Sequence, residues 1–383
     1  MNIITTHQQY LQTALYGRYI HRNHIAPLLQ DLRDVFTVTE LGTSENELSI
    51  DTVQIGSGPK KIVMWSQMHG NESTTTKALF DLFQFLSSSR PDAEEILRCC
   101  TLYCIPILNP DGALQYTRVN YNKEDLNRDA QQRSQKETRL LLDYIDTIQP
   151  DFAFNLHGQR TIFSAGPKRK SATLSFLSPA GDHQRALTES RQKAMEIIAY
   201  LNSKLQVYLP GQIGRYDDGF NKNCVGDTLE MSGIPTLLYE AGHYDHDYER
   251  EHTRKFVFGA LILALQYIAR NRVDGAKYQA YFNIPENEKR FFDIIIKNVR
   301  ISETNTTTDV ALQYEEVLDK GIVRFLPKIA KIDTLDSYFG HREIDGKNGV
   351  IRSDNDRVQV VEGNTLLKFS INGELFSTDL IKK

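Results

Sequence analysis

His69 and Glu72 stand three residues apart in a short polar segment, residues 68–73. The apolar run of residues 62–65 before them predicts a strand, and the spacing of apolar side chains between Thr74 and Leu86 predicts a helix after them. Imidazole and carboxylate groups are zinc ligands in proteins, and a glycine-containing turn lets two such groups point at one spot. The pair therefore supplies half of a metal site, which a distant third ligand and an open position would make catalytic.

Two further polar residues come where predicted strands end. His157 follows the apolar segment 152–156, and Glu240 follows residues 236–239. In open α/β sheets, ligands bind in the crevice outside the carboxyl ends of the strands. Two histidines and one glutamate, with water in the fourth position, form a known catalytic zinc set. The sequence therefore predicts a metal site at one edge of a sheet.

The composition limits the classes of function. The 383 residues carry a net charge of -4, with 40% hydrophobic and 25% charged residues, which is ordinary for a globular protein. This charge gives no electrostatic case for nucleic-acid binding, and no block of Lys and Arg suggests a membrane surface. The most apolar segment, residues 256–268, is shorter than the ~20 residues that a bilayer crossing needs.

The amino terminus and the cysteines favour a cytoplasmic protein. Residues 1–7 lack the basic start and the apolar core of a signal peptide. Three of the four cysteines fall within residues 99–104 and the fourth is Cys224, so they form neither a disulfide framework nor paired zinc motifs. We therefore expect reduced thiols and a cytoplasmic location, with no nucleic-acid or membrane partner.

The order of the predicted elements indicates the fold class. Strands and helices alternate up to residue 271, which predicts an α/β domain with a mixed, mainly parallel sheet flanked by helices. After residue 272 the helical periodicity fades, and β-like segments such as 291–301 and 358–361 are separated by Gly, Asn and Asp turns. We predict a catalytic domain of residues 1–272 and a smaller, mostly β accessory domain of residues 273–383.

Five motifs in order give the chain a resemblance to a known family. They are His69-x-x-Glu72, Asn109-Pro110-Asp111-Gly112, Asp125-Leu126-Asn127-Arg128, His157 and Glu240. Together they resemble the metallocarboxypeptidases of the carboxypeptidase A type over about residues 50–270. The resemblance implies a zinc carboxypeptidase-like fold, one zinc ion per chain and hydrolysis of the C-terminal peptide bond of a peptide.

The resemblance assigns the metal and the base. His69, Glu72 and His157 would bind the zinc ion. Glu240 would be the general base that takes a proton from a zinc-activated water. It would then deliver this proton to the leaving amine.

Five further residues are assigned to the substrate by the same resemblance. Arg118 would stabilise the tetrahedral oxyanion. Asn127 and Arg128 would hold the terminal carboxylate of the substrate, Arg128 through a bidentate pair. The catalytic tyrosine of the family would be Tyr216. Gly226, in the loop before the strand of the base, would leave the side-chain pocket without a charged determinant and favour larger apolar residues.

Two other functions remain open. The Asp-Leu-Asn-Arg motif and the trailing β domain are also similar to N-acyl amino acid deacylases of the aspartoacylase and succinylglutamate desuccinylase type. A catalytically inactive binding protein on a peptidase-like scaffold is the second alternative. The substrate expected from the enzymatic alternatives is a peptide or an acyl-amino acid with a free carboxylate, and the oligomeric state stays open.

Three other polar groups are expected to have structural roles. The pair His243-x-x-His246 lies in an irregular acidic stretch without an evident third ligand, so we predict no second metal site there. We expect Asp125 and Asp129 to cap local loops.

Overall fold

Residues 2–304, 306–355 and 358–380 are described by a computed structural model. The outermost ends of the two predicted domains, Met1 and residues 381–383, lie outside these described residues. The chain forms an eight-stranded sheet, a pair of short strands and a six-stranded sheet. This mixed α/β architecture with a separate carboxyl-terminal β-sheet confirms the predicted fold class.

The chain divides into two compact units at points other than the predicted boundary after residue 272. The first unit holds the residues up to Gln159 together with Ala172–Asn287, and the second holds Arg160–Ser171 together with the residues from Glu288 onward. Tyr281 explains why the first unit extends past residue 272, because its side chain is 1% exposed and its hydroxyl accepts a hydrogen bond from Ser178 N.

The sequence of residues 160–171 does not indicate that this segment belongs to the second unit. It pairs there through its backbone, since Phe291 N donates to Ile162 O over 3.0 Å. Backbone pairing of this kind depends on residues far apart in the chain, which local periodicity does not report.

The eight-stranded sheet belongs to the first unit. In chain order the strands up to residue 241 are β1 (Thr37–Thr43), β2 (Ser49–Ile55), β3 (Lys60–Ser66), β4 (Cys100–Ile105), β5 (Phe152–Gly158), β6 (Phe163–Ala165), β7 (Leu174–Leu177), β8 (Ile213–Arg215) and β9 (Thr236–Ala241). All except β6 form this sheet, in the order β1-β2-β4-β3-β5-β9-β7-β8. The central strands β4, β3, β5 and β9 are parallel, whereas β1, β2 and β7 pair with their neighbours in antiparallel fashion.

Helices cover both faces of this sheet. In chain order they are α1 (Ile3–Tyr10), α2 (Arg22–Leu32), α3 (Thr74–Leu86), α4 (Pro91–Cys99), α5 (Pro110–Gln115), α6 (Lys136–Ile148), α7 (Glu189–Leu205), α8 (Val225–Met231) and α9 (Glu251–Arg270). Alternate residues of β3 enter two separate cores, as the two-residue period of a strand requires. Ile62 and Met64 pack with α3, α7 and α9, while Val63 and Trp65 pack with α6 and α8.

A buried ion pair joins two of these helices. Asp81 of α3 and Arg254 of α9 are at most 1% exposed, and Arg254 Nη2 and Nε lie 2.6 Å and 2.7 Å from the two carboxylate oxygens. Arg254 also donates to the backbone carbonyls of Gln12 and Leu15. The pair therefore holds the segment between α1 and α2 against α3 and α9.

The second unit contains the six-stranded sheet. The six strands of this sheet are β11 (Phe291–Arg300), β12 (Thr308–Asp319), β13 (Ile322–Asp333), β14 (Phe339–Ser353), β15 (Lys368–Ile371) and β16 (Glu374–Ser377). They are preceded by the short strand β10 (Asn287–Lys289), which begins at the unit boundary. The sheet runs β13-β12-β11-β14-β15-β16, and β10 pairs with β6.

One predicted strand is wrong. Residues 358–361 form no strand, because the amide of Val361 bonds within the segment to Gln359 O. Val360 is nevertheless buried in the core of this unit. The apolar pattern therefore reported burial correctly and the backbone conformation wrongly.

None of the helices in the described residues combines the length and the apolar character that a bilayer crossing requires.

Candidate metal centre and active site

The loop between β3 and α3 carries His69 and Glu72 at the carboxyl end of a central strand. Glu72 N donates to His69 O over 3.0 Å, which closes the turn. A Cβ on Gly70 would lie 1.9 Å from the carbonyl carbon of Gly112, so only glycine allows this close approach. Asn109 supports the loop from the same side, since its Nδ2 donates to Met68 O over 3.2 Å. The Asn-Pro-Asp-Gly motif is thus part of the scaffold of the site.

The structure brings the three predicted metal ligands together. Potential ligand atoms of His69, Glu72 and His157 all lie within 4.8 Å of one another. The two Nδ1 atoms are 3.2 Å apart, and the Glu72 carboxylate lies 2.8 Å from His69 Nδ1 and 3.1 Å from His157 Nδ1. Both histidines are 2% exposed.

These distances fit a zinc ion. In tetrahedral coordination with bonds of about 2.0–2.1 Å, two ligand atoms lie about 3.3 Å apart. The observed separations of the Nδ1 atoms and the carboxylate oxygens are close to this value. Two imidazoles and one carboxylate are also a donor set that zinc takes in catalytic sites. Among the described residues, the buried His157 Nε2 has no hydrogen-bond partner, and the contacts of this ring are on its Nδ1 side.

The protonation states of His157 and Glu72 favour binding of a cation. Burial lowers the pKa of His157, more than the Glu72 carboxylate raises it, so the ring is neutral at pH 7. Burial alone would raise the pKa of Glu72, but His69 and His157 outweigh this effect and hold the pKa well below its usual range. A neutral imidazole beside an ionised carboxylate is the form that binds metal. Burial lowers the pKa of His69, but the Glu72 and Asp125 carboxylates raise it more, so this ring would release a proton when a cation binds.

Asp125 orients the ring of His69. Its carboxylate lies 3.1 Å from His69 Nε2, on the far side of the ring from the Nδ1 atom that faces Glu72. It also accepts hydrogen bonds from Asn127 N over 2.9 Å and from Arg118 Nη2 at 3.0 Å. Asp125 does cap its loop, as expected, but it contacts the candidate ligand as well. A carboxylate behind a ligating histidine fixes the tautomer and the orientation of the ring.

Glu240 lies beside the cluster. The parallel register pairs it directly with His157 across β5 and β9, and its side chain is buried. Burial, followed by repulsion from Glu72, raises the pKa of Glu240 well above its usual range, whereas Arg118 lowers it. The buried Oε2 has no hydrogen-bond partner in the described residues. A carboxylate of this kind is a stronger base than a solvated one.

Arg118 reaches the same cavity from the loop after α5. Its Nη1 lies 3.2 Å from His69 Nδ1 and 3.5 Å from Glu72 Oε1. Its side chain is 46% exposed, so the guanidinium faces both the cluster and solvent. This position brings a fixed positive charge next to the candidate ligands.

Asn127 and Arg128 are placed differently from each other. Asn127 is buried and its Oδ1 accepts a hydrogen bond from Val225 N over 3.0 Å, which fixes the start of α8. Arg128 is exposed, and its Nη1 donates to Cys224 Sγ over 3.1 Å and to Asn127 O over 2.7 Å. The arginine is therefore available to a ligand, while the asparagine oxygen is engaged by backbone.

Tyr216 comes directly after β8. Burial, followed by the charges of Glu240 and Glu72, raises the pKa of its hydroxyl. Its backbone is fixed because Tyr216 N donates to Phe176 O over 3.0 Å. The structure thus brings this predicted residue into the electrostatic range of both carboxylates.

Gly226 does not lie in a loop. It is buried in the first turn of α8, and a Cβ on it would lie 2.9 Å from Pro179 Cγ. The Asn- and Gly-rich stretch suggested a loop, but Val225 and Leu229 bury one face of a short helix there. Gly226 thus has a packing role in close contact with Pro179.

His243 and His246 are not members of the candidate ligand cluster. Among the described residues, the single group of potential ligands is the His69, Glu72 and His157 cluster. The His243 ring packs against Tyr248 with a centroid separation of 4.8 Å, and His246 lies 3.6 Å from the Asp245 carboxylate.

Comparisons with known proteins agree with this geometry. Residues 22–128 match the sequence profile of the zinc carboxypeptidase family (peptidase M14). No curated protein matches the chain in sequence. Solved structures match in fold: a metallo-carboxypeptidase from Burkholderia cenocepacia is 18% identical with a TM-score of 0.52, and the match covers 64% of this chain and 67% of that one.

Two further structures show the same fold. Thrombin activatable fibrinolysis inhibitor is 11% identical with a TM-score of 0.54, covering 70% of this chain and 80% of that one. The bovine form, solved with a tick carboxypeptidase inhibitor, is 13% identical with a TM-score of 0.51, covering 68% of this chain and 97% of that one. The predicted resemblance is confirmed: residues 22–128 carry the sequence pattern of the zinc carboxypeptidase family, and the chain shares the metallo-carboxypeptidase fold.

Proposed function

We propose that the chain is a zinc-dependent carboxypeptidase that hydrolyses the C-terminal peptide bond of a peptide. The observation that carries the proposal is the convergence of His69, Glu72 and His157 beside the buried carboxylate of Glu240. A structural zinc site takes four protein ligands, whereas this cluster offers three. Three ligands with an unpaired base beside them suit a catalytic one.

The residues that would hold zinc are His69, Glu72 and His157. When bound, the ion supplies Lewis acidity, which lowers the pKa of water and polarises a carbonyl group. With its carboxylate 3.1 Å from Nε2, Asp125 would hold the hydrogen of His69 on that nitrogen and leave Nδ1 for the ion.

Glu240 would act as the base. Its raised pKa strengthens its affinity for a proton, and its position next to His157 puts it beside the cluster. The same carboxyl group, once protonated, would return the proton to the leaving amine.

Two arginines would interact with the substrate at different stages. Arg118, within 3.5 Å of the candidate ligands, would stabilise negative charge that develops on the scissile carbonyl oxygen. Arg128 would bind the terminal carboxylate, which is present before and after the reaction. Tyr216 is protonated at pH 7, as a phenol ordinarily is, and its raised pKa strengthens this, so its hydroxyl would donate a hydrogen bond to the substrate.

Glu240→Gln tests the assignment of the base. We expect zinc content to stay at the wild-type level and kcat to fall by about 10²- to 10⁴-fold, the usual contribution of a general base. Glu230→Gln is the matched control, because Glu230 is another buried glutamate with a raised pKa, on α8. Full activity of Glu240→Gln would refute the proposed role.

A deacylase is the second candidate, and the separate six-stranded sheet of the second unit is the observation that favours it. The deacylases resembled by the Asp-Leu-Asn-Arg motif also have an appended β domain. Rates on blocked dipeptides and on N-acetyl and N-succinyl amino acids separate the two activities. Hydrolysis of the acyl-amino acids alone would replace the carboxypeptidase proposal with the deacylase.

An inactive binding protein is tested by metal analysis. Protein purified without chelators should contain about one zinc ion per chain if the site is catalytic. Absence of both zinc and hydrolysis would favour the inactive alternative.

A further inference from the structure

Gln67 lies between the end of β3 and the candidate ligand loop. It is fully buried, and its φ of 46° lies in the left-handed region that glycine normally occupies. Residues held in this conformation persist only where the surrounding contacts determine them. The contacts of Gln67 therefore determine the conformation at the start of this loop.

The side-chain amide of Gln67 binds three separate parts of the chain. Its Nε2 donates to Gly70 O over 2.7 Å, inside the ligand loop, and to Ile20 O over 2.9 Å. Its Oε1 accepts a hydrogen bond from Thr76 Oγ1 of α3 over 2.7 Å. A primary amide offers two N–H donors and one acceptor oxygen, and these bonds engage both donors and the oxygen.

The backbone of Gln67 is held as well. Asn109 N donates to Gln67 O over 3.0 Å, next to the bond between Asn109 Nδ2 and Met68 O. The residue therefore has fixed positions for both its main chain and its side chain, two residues before His69.

The segment before α2 contacts the ligand loop at both of its ends. Ile20 O is bound by Gln67, which precedes His69, and Arg18 O accepts a hydrogen bond from Ser73 Oγ, which follows Glu72, over 2.5 Å. Residues 18–20 lie outside the stretch that matches the family profile, residues 22–128.

We propose that Gln67 is a positioning residue for the metal centre, which sets the loop of His69 and Glu72 by fastening it to residues 18–20 and to α3. The proposal rests on the proposed zinc site. Loss of the amide leaves the carbonyls of Gly70 and Ile20 buried without this donor, and a buried acceptor without its partner is costly. The loop then shifts to recover hydrogen bonds, and the two ligands separate from His157.

Gln67→Met and Gln67→Gly test the proposal. Methionine keeps the length of the side chain and removes its polar atoms, while glycine also removes the cost of the positive φ. Zinc affinity is measured by competition with a chromogenic chelator. We expect both variants to bind zinc about 10- to 100-fold more weakly, the usual effect of losing a group that orients a ligand.

Gln266→Met is the matched control. Gln266 is 5% exposed in α9, and its Nε2 has no hydrogen-bond partner in the described residues. The variant therefore reports the effect of a buried Gln→Met change in which no hydrogen bond from the amide nitrogen is lost. We expect wild-type zinc affinity in this variant.

The cobalt-substituted protein gives a second readout of the coordination geometry. The visible absorption bands of Co²⁺ should change in both Gln67 variants and stay unchanged in Gln266→Met. Ser73→Ala, which removes the bond to Arg18 O, should weaken zinc binding less than Gln67→Met. Wild-type affinity in Ser73→Ala would overturn the part of the proposal that rests on Arg18 O, whereas the bond between Gln67 and Ile20 O is tested by the Gln67 variants.

The outcomes separate this proposal from the proposed function. Wild-type protein that binds no zinc would refute both. Wild-type protein that binds zinc, with Gln67→Gly binding it equally tightly and showing the same cobalt spectrum, would refute the role of Gln67 and leave the proposed function standing.

Discussion

At the candidate centre, the ring of His69 is oriented by a neighbour that the sequence did not indicate. His69, Glu72, His157 and Glu240 could be predicted, because each follows an apolar strand and belongs to a motif. The contact between Asp125 and His69 could not, since it joins residues 56 positions apart and depends on how a loop folds back. The positions of these groups after predicted strands could thus be expected from the sequence, whereas their orientation required the fold.

Arg128 allows a prediction at this scale. A charge-assisted bond to the substrate carboxylate contributes about 1.5–3 kcal/mol, so Arg128→Ala should raise KM for peptides by about 10- to 100-fold with a smaller change in kcat. Steady-state kinetics on a peptide acid and on its amide measure the effect. The amide should be a poor substrate of the wild type.

Arg133→Ala serves as the control for this change. Arg133 lies five residues after Arg128, but its guanidinium contacts the exposed carboxylates of Asp143 and Asp146. Equal KM values in wild type and Arg128→Ala would argue against carboxylate binding by Arg128.

The elements differ in how well their patterns revealed them. The helix Thr74–Leu86 has the predicted limits, because its apolar face is long and regular. The short helix Val225–Met231 was expected to be loop, since seven residues carry too little periodicity and its neighbours are Gly and Asn. The prediction was therefore wrong for a candidate site residue on a short element, since Gly226 lies in a helix and not in a loop.

The segment after β8 is anchored by a charged clamp, which leads to a prediction at the scale of the element. Asp218 Oδ1 accepts a hydrogen bond from Arg185 Nη1 over 2.9 Å, and Oδ2 contacts Arg191. Arg191 is 1% exposed, so removal of its partner charge is costly. Asp218→Asn should loosen this segment and lower kcat by moving Tyr216.

A double-mutant cycle measures this coupling. Asp218→Asn should have a smaller effect in a Tyr216→Phe background, with a coupling energy of about 1 kcal/mol or more. Asp217→Asn is the control, because Asp217 is exposed and its Oδ1 bonds to Gly219 N in the same turn. Additive effects would mean that Asp218 does not act through Tyr216.

For the molecule as a whole, the pH dependence of stability should include a contribution from Glu230. Its Oε1 accepts a hydrogen bond from Thr236 N over 2.9 Å, and burial raises its pKa from 4.5 to about 7. The folded protein binds this proton more tightly than the unfolded chain, so the contribution is full below pH 4.5 and is lost as pH rises to 7. The loss is on the order of 3 kcal/mol.

Glu230→Gln removes this titration. The free energies of unfolding of variant and wild type, measured in urea at pH 5 and pH 8, should diverge at pH 8 in favour of the variant. A difference that does not change between the two pH values would contradict the raised pKa.

The interleaving of the two units along the chain has a consequence for synthesis on the ribosome. Residues 160–171 emerge long before β10 and β11, with which they pair, because the whole of Ala172–Asn287 is translated in between. This short stretch must wait without its native neighbours while the strand bearing Glu240 is still being added. A nascent chain released early would therefore carry a complete set of candidate ligands together with an unfinished second sheet.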